Sequence, residues 1–288
     1  MGAFFDPDGA LSRAHARYEH RPGQQRMAQA VADVLAAGGS LLVEAGTGTG
    51  KTLAYLVPAL ESGRRVVVST GTRHLQDQIW RQDLPFLREQ AGLPVSAALM
   101  KGRDNYLCRA RLGQLEREPL LEDLSEAPWI GRLAAWGRVT TSGDRAELAD
   151  LPDGLKLWRD VNARADTCTG VRCPEYDACW LTRLKRTAQE RQIIVVNHHL
   201  FFADLAVRSA YGAVLPDYDA VVFDEAHLLE EIATLYFGAQ VSSAQLEELA
   251  REAEALAARA GAVERGGAGA AGLRQASAEF FLQLRQRL

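Results

Sequence analysis

Apolar and polar positions along this chain change their period several times, and each change marks an element. Val66, Val67 and Val68, the run I-I-V-V-N at 193–197 and the run A-V-V-F-D-E at 220–225 are apolar stretches without alternation. That pattern belongs to strands covered on both faces of a parallel sheet. Residues 95–100 predict a further strand, and Leu41, Leu42 and Val43 a short one in the same sheet. Between the strands the period lengthens: Met27, Val31, Val34 and Leu35 within residues 18–37 recur at helical spacing, and Gly38 and Gly39 close that helix. A second helix follows Thr52, where Pro58 is expected to kink or end it. From Lys101 to Arg191 the alternation fails amid scattered Pro and Gly, which predicts an insertion with little core of its own. Beyond Ile232 the chain turns helical and Ala/Glu-rich, with a Gly-rich segment at 261–272 expected to be flexible. It ends in an amphipathic helix whose apolar face has no obvious cover.

The strand at 41–43 runs into A-G-T-G-T-G-K-T, residues 45–52. Gly46, Gly48 and Gly50 let the backbone curl so that successive N–H groups of Ala45, Gly46, Thr47, Gly48, Thr49 and Gly50 face one small volume, where an anion sits. A helix starting near Lys51 adds its free N–H groups and its macrodipole. Lys51 then reaches the β- and γ-phosphates of a nucleotide such as ATP, and the Thr52 hydroxyl binds Mg²⁺. The pattern departs from G-x-x-x-x-G-K-[ST] only in placing Ala45 first, and Ala is nearly as small as Gly. Gln24, with Arg21 near it, could offer its amide to an adenine ring.

V-V-F-D-E-A-H at 221–227 places two acids at the end of a buried strand. Asp224 suits Mg²⁺ through water, and Glu225 suits polarising the attacking water for in-line displacement at the γ-phosphate. His227 either links this site to a nucleic-acid strand or satisfies a nearby carbonyl. Ser69, Thr70, Thr72, Arg73 and Gln76 follow the 66–68 strand at its carboxyl end, where open α/β sheets bind ligands. They suit sugar–phosphate contacts, and helix capping by Thr70 or Thr72 is an equal alternative. Asn197, His198 and His199 are read as loop residues.

Cys108, Cys168, Cys173 and Cys179 all lie in the insertion. Their wide, uneven spacing favours four thiolates on a [4Fe–4S] cluster, with zinc as the runner-up and four unrelated thiols as the plain alternative. A bound metal would supply folding energy to a stretch poor in core. Lys101, Arg103, Arg109 and Arg111 flank Cys108, and Arg183, Lys185, Arg186 and Arg191 follow Cys179. These basic groups suit a phosphate backbone. Tyr106, Tyr176 and Trp180 lie among them; stacking on bases is one use, and a place in the core is the reading preferred for each.

Composition narrows the class. The 288 residues carry a net charge of −4, with 47% hydrophobic and 24% charged residues, as in globular proteins. Any nucleic-acid affinity must therefore be local. The acidic start M-G-A-F-F-D-P-D-G-A is unlike a signal peptide, and no apolar run approaches a membrane span, so a cytoplasmic protein without membrane contact is expected.

The A-G-T-G-T-G-K-T loop, S-T-G-T-R-H-L-Q-D-Q, K-G-R-D-N-Y-L-C, the four spaced cysteines, V-V-N-H-H-L-F and D-E-A-H occur in the order seen in a known family. Over residues 18–237 the chain resembles the iron–sulfur superfamily 2 DNA helicases of the XPD/DinG type, and it is most similar to the bacterial DinG/YoaA branch. That resemblance implies a RecA-like first motor domain at residues 1–100 and 192–235, a cluster insert at 101–191, and the start of a helical Arch domain at 236–288. It also implies ATP-driven 5′→3′ movement by a monomer on single-stranded or forked DNA, in repair or replication and with proteins of those processes. By position Gln24 resembles the adenine-contacting Gln, and Cys108, Cys168, Cys173 and Cys179 the cluster ligands. Nothing after Glu231 resembles the second motor domain with its arginine finger, so the chain is expected to be the amino-terminal part of a longer protein. The rival reading is a nucleotide- and metal-binding redox sensor or DNA-binding adaptor without motor activity.

Overall fold

The computed structural model describes residues 2–14, 19–46, 48–118, 124–152, 154–239 and 241–287. Two short helices, α1 (Gly2–Phe5) and α2 (Ala10–Ala14), precede α3 (Pro22–Ala37), which opens on a proline where the missing N–H has no intrahelical partner to lose. The glycine-rich loop leads into α4 (Lys51–Glu61), and β1 (Val66–Thr70) follows. Next come α5 (Arg73–Gln78), a wide π turn at Ile79–Asp83, α6 (Leu84–Glu89) and β2 (Ala97–Leu99). Helices α7 (Arg109–Arg117), α8 (Ala127–Val139), α9 (Lys156–Val161) and α10 (Trp180–Gln189) then interrupt the strands. The chain returns through β3 (Ile193–Asn197), α11 (His198–Tyr211), β4 (Ala220–Phe223) and α12 (Leu229–Phe237), and it continues in α13 (Ser243–Arg259) and α14 (Val263–Arg287).

The four strands form one parallel sheet in the order β2-β3-β1-β4. Val66, Val68, Ile193 and Val195 pack on one face with α3 and α4, whereas Val67, Ile194 and Val196 pack on the other with Phe201 and Leu215. Cover on both faces explains why these strands read as unbroken apolar runs. Register pairs Thr70 with Asn197 and Ser69 with Phe223, so the residues after β1, β3 and β4 emerge along one edge. Strands from before and after the insertion thus share one ladder.

Two expectations fail in this unit, Met1–Ile232. Leu41, Leu42 and Val43 form no strand, and Leu42 is 92% exposed. A strand needs a neighbouring ladder, and none of the four strands pairs with this segment. Pro58 does not end α4, which continues to Glu61. The residues from Ala54 to Leu60 are all buried, and that packing outweighs the one hydrogen bond the ring removes.

The insertion also differs from expectation, because it has helices and a core of its own. Leu107, Leu133, Leu157, Trp158, Val161 and Trp180 belong to one buried cluster separate from the sheet's. Its sequence hid this because the apolar residues come from short helices joined by turns, each too brief to show a period. Isolated bridges join Tyr106 to Asp144 and Leu107 to Asn162, holding the start of the insertion against its middle.

The second compact unit, Ala233–Leu288, contains the hairpin of α13 and α14. Ser242 and Gln245 form a capping box at the start of α13. The Gly-rich segment expected to be flexible is helical from Val263 onward, within α14. Gly266 serves close packing there: a Cβ on it would fall 2.1 Å from the Cβ of Ala257. Arg274 clamps the pair, reaching Glu254 at 2.6 and 3.0 Å and Glu247 at 3.0 Å.

Candidate functional site

Lys51 is the first residue of α4, and Gly48 and Gly50 ahead of it have φ of 74° and 80°, a backbone that glycine adopts without strain. Thr49 Oγ1 donates to the Gly46 carbonyl at 2.9 Å, and Lys51 Nζ donates to the Ala45 carbonyl at 3.2 Å. Thr47 lies outside the described residues. Arg21 donates to the Gly48 carbonyl, and Gln24 Nε2 to the Gly50 carbonyl at 3.0 Å. Gln24 is only 7% exposed, so its amide braces the loop here instead of facing outward for a base. A Cβ on Gly50 would meet that amide nitrogen at 2.2 Å, a second reason for glycine there.

The acid pair stands opposite. Asp224 follows β4 directly, and its N–H donates to the Ser69 carbonyl at 2.8 Å. Glu225 adopts φ 60°, the only positive φ outside glycine among the described residues. Its Oε1 lies 3.8 Å from Lys51 Nζ, so loop and acids from opposite ends of the unit's sequence meet at one point. His227 is 70% exposed on its side chain, with Nδ1 3.5 Å from Glu225 Oε2. Burial raises the Asp224 carboxyl above its ordinary range, and the Glu225 charge adds to the rise.

Two further groups belong to this site and were not singled out by sequence. Tyr55 donates its hydroxyl to Asp224 Oδ2 at 3.3 Å; burial pushes its phenol well up, while a hydrogen bond with Thr52 works the other way. It stands four residues after Lys51, on the same helical face, a signal that was available. Asp83 is pushed up to about 6, first by burial and then by Asp224. No spacing signals Asp83, because it arrives through the π turn, an element often found at functional sites. The arrangement sets a lysine and a helix N-terminus against ionisable acids, as a metal–nucleotide complex requires.

The loop after β1 is partly withdrawn from solvent. Ser69, Thr70 and Gln76 are fully buried, and Gln76 Nε2 donates to the Met100 carbonyl at 2.8 Å. Thr72 caps α5 by accepting from the Leu75 N–H, and Thr72 and Arg73 stay exposed. His198 and His199 are not loop residues either. They open α11, which Asn197 caps, and His198 is fully buried with Nδ1 2.7 Å from Ser69 Oγ.

In the insertion Cys108 precedes α7 and Cys179 precedes α10, each as the residue before a helix start. Burial pushes the Cys108 thiol up, the Arg111 and Ala110 N–H groups pull it down, and Cys179 and Cys173 are near enough to raise it again. Three thiols thus share one region. Cys168 is exposed, and its charge is felt by Lys185. The donor set suits a metal cluster, while among the described residues no three His, Cys, Asp or Glu side chains close around one point.

The basic residues divide. Lys101 is withdrawn from any phosphate: its side chain is 5% exposed and pairs with Asp77 at 3.0 Å and Asp144 at 2.9 Å. Arg109 stacks over Trp180 at 4.0 Å, and Arg186 pairs with Asp177 at 2.9 Å. Arg103 lies close enough to Lys185 to lower its pKa further after burial, so the two basic segments converge. Tyr106 and Trp180 are core residues.

Comparison with known proteins fits this geometry. Residues 21–117 match the DEAD/DEAH box helicase family. The chain is 40% identical over 255 residues to the ATP-dependent DNA helicase YoaA of Escherichia coli, covering 86% of this chain and 39% of that protein. It is 39% identical over 255 residues to the ATP-dependent helicase DinG of Mycobacterium tuberculosis, covering 80% of this chain and 38% of that one. A 3′-5′ exonuclease DinG of Bacillus subtilis is 34% identical over 242 residues, covering 82% and 25%. The chain therefore spans about two fifths of the length of the helicases it matches. The parallel sheet fits a RecA-like helicase domain. Residues 21–117 carry a DEAD/DEAH box helicase domain, and the chain is homologous to the ATP-dependent helicases DinG and YoaA.

Proposed function

We propose that this chain is the ATP-binding and DNA-separating portion of an ATP-dependent DNA helicase that moves 5′→3′ on single-stranded DNA in repair or replication. The observation that carries the reading is the approach of Lys51 to Glu225, with Asp224 beside it, at the carboxyl edge of a parallel sheet. Lys51 and the N–H groups of residues 45–50 hold the phosphates, Thr52 and Asp224 hold Mg²⁺, and Glu225 orients the attacking water. His227, exposed beside Glu225, faces the strand of DNA, and Gln24 turns from the loop to the adenine when nucleotide binds. Residues 1–100 and 192–235 are the motor domain, 101–191 the DNA-separating insert, and 236–288 the start of an Arch.

Cys108, Cys168, Cys173 and Cys179 hold a [4Fe–4S] cluster in this reading, supported by three thiols in one region and by the Arg111 and Ala110 N–H groups, which favour the Cys108 thiolate against the burial that raises its pKa. When bound, the cluster ties four separate chain segments together. Arg103 and Lys185, converging beside it, meet the phosphate backbone.

The test is phosphate release by the full-length protein with and without single-stranded DNA. Stimulated release is expected. A protein that binds ATP and DNA yet shows no stimulated release, with redox-dependent DNA binding instead, overturns the motor reading in favour of a sensor or adaptor.

A further inference from the structure

Near the acid pair after β4, Ser69 of β1 and His198 of α11 make a buried polar contact that the proposed chemistry does not use. His198, the first residue of α11, has no exposed surface, and neither does Ser69, whose Oγ is 2.7 Å from its Nδ1. Nε2 is buried without a hydrogen-bond partner; burial pushes the imidazole pKa down, and the backbones of Glu225 and Asp224 lie near enough to the ring to work the other way. The ring also packs on Phe223, the last residue of β4, at 5.9 Å between centroids. Ser69 thus holds His198 through its hydroxyl and the turn after β4 through its carbonyl, which accepts from the Asp224 N–H at 2.8 Å.

That turn is the strained part of the site. Glu225 holds φ 60° and ψ 46°, a left-handed conformation that strains a non-glycine residue, so surrounding contacts must impose it. Beside it the β1 loop is tight: a Cβ on Gly71 would lie 3.4 Å from the Glu225 Cβ and 2.5 Å from Leu228 Cδ1. A buried imidazole bonded to Ser69 on one side and packed on Phe223 on the other ties the end of β1 to the end of β4, because shifting Ser69 would leave its second ring nitrogen unpaired as well.

We propose that His198 is a positioning residue that couples the loop after β1 to Glu225, so that strand contact at the exposed Thr72–Arg73 end of that loop is passed to the carboxylate that orients water. This rests on the helicase reading and adds the route between its two sites. His198 touches neither nucleotide nor water; it acts through Ser69 and the Glu225 backbone.

The experiment compares full-length protein with His198→Leu, His198→Gln and Ser69→Ala, measuring kcat and KM for ATP with and without single-stranded DNA, nucleotide affinity and thermal midpoint. His198→Leu is expected to lower DNA-stimulated kcat about tenfold or more, with KM and nucleotide affinity within about twofold, so that most of the DNA stimulation disappears. His198→Gln, which keeps a donor and an acceptor, recovers most of the stimulation, and Ser69→Ala reproduces the loss without adding to it in the double variant. Lower midpoints with normal stimulation in the folded protein would show a merely structural histidine and overturn the inference, as would additive effects of the two substitutions. If His198→Leu fails to fold, His198→Gln and Ser69→Ala decide by the same readout. Parent protein lacking any DNA-stimulated turnover refutes the helicase reading itself, whereas a stimulated parent matched by its variants refutes the coupling alone.

Discussion

The carboxyl edge of the sheet and the cysteine-bearing insertion both gather residues from distant parts of the sequence, by different means. At the sheet edge, register does the gathering: Ser69 stands beside Phe223 and Thr70 beside Asn197, so whatever follows each strand is delivered to the same line. In the insertion the cysteines are placed by helix starts and turns, and a hydrophobic cluster with Trp158 and Trp180 holds those helices. A ladder constrains every residue along it, whereas a core fixes helices and leaves their connecting turns freer. Lys51 accordingly has defined partners, while the cysteines do not close around one point among the described residues and Cys168 stands exposed.

The strongest way to separate the two regions is Lys51→Ala in the full-length protein. Removing the one cation aimed at the phosphates should cut ATP hydrolysis by ~10³-fold or more, comparable with losing other phosphate-stabilising charges. The cysteine region should be untouched, with iron content equal to the parent's. Residual hydrolysis near the parent's rate would contradict the assignment of the loop.

Lys101→Met breaks both regions at once, because Lys101 sits between Asp77 on α5 and Asp144 in the insertion. It strands two carboxylates beside a buried methionine, and a loss of about 3 kcal/mol is expected in denaturant unfolding. Adding Asp144→Asn should restore part of it. No loss at all would show that the ion pairs hold nothing together.

A smaller effect is expected from Cys108→Ser. Protein purified without oxygen should hold about four irons per chain and absorb broadly near ~400 nm, and the variant should lose most of both. Far-UV dichroism should change little, since the insertion has its own core. Colourless parent protein with one zinc would sink the cluster.

The smallest is Asp83→Asn. The folded carboxyl is raised to about 6 from its ordinary value of about 3.8, so the folded state takes up a proton as pH falls through that window, and stability declines as pH rises through it. The substitution should therefore stabilise the protein above about pH 6, by about 1 kcal/mol once partial exposure is discounted, and do nothing below about pH 4. Thermal midpoints across pH, without Mg²⁺ or nucleotide, measure this; a gain that persists at low pH would show another cause.

What was legible in the sequence divides along the same line. The strands at 66–68, 193–197 and 220–223 were readable because cover on both faces removes polar residues, and the A-G-T-G-T-G-K-T and D-E-A-H motifs because phosphate chemistry constrains neighbours in sequence. Ser69 and His198 were misjudged since burial decides what a polar side chain does, and periodicity does not report the burial of single residues at the end of a strand. Asp83 left no trace because a π turn shifts a residue off any regular face. Lys101 looked basic and free, and its two carboxylate partners lie far from it along the chain.

Helix α14 shows what such dependence on context entails. Gly266, Gly267, Gly269 and Gly272 all lie within it, and each weakens a helix by about 1 kcal/mol relative to alanine. Only Gly266 is required by close approach to α13; the other three face open space. The helix is therefore conditional: it exists because α13, synthesised before it, offers Glu247, Glu254 and the Ala257 ledge to fold against. A peptide of residues 263–287 alone should be mostly coil, and order in this hairpin should be gained and lost as a single cooperative event.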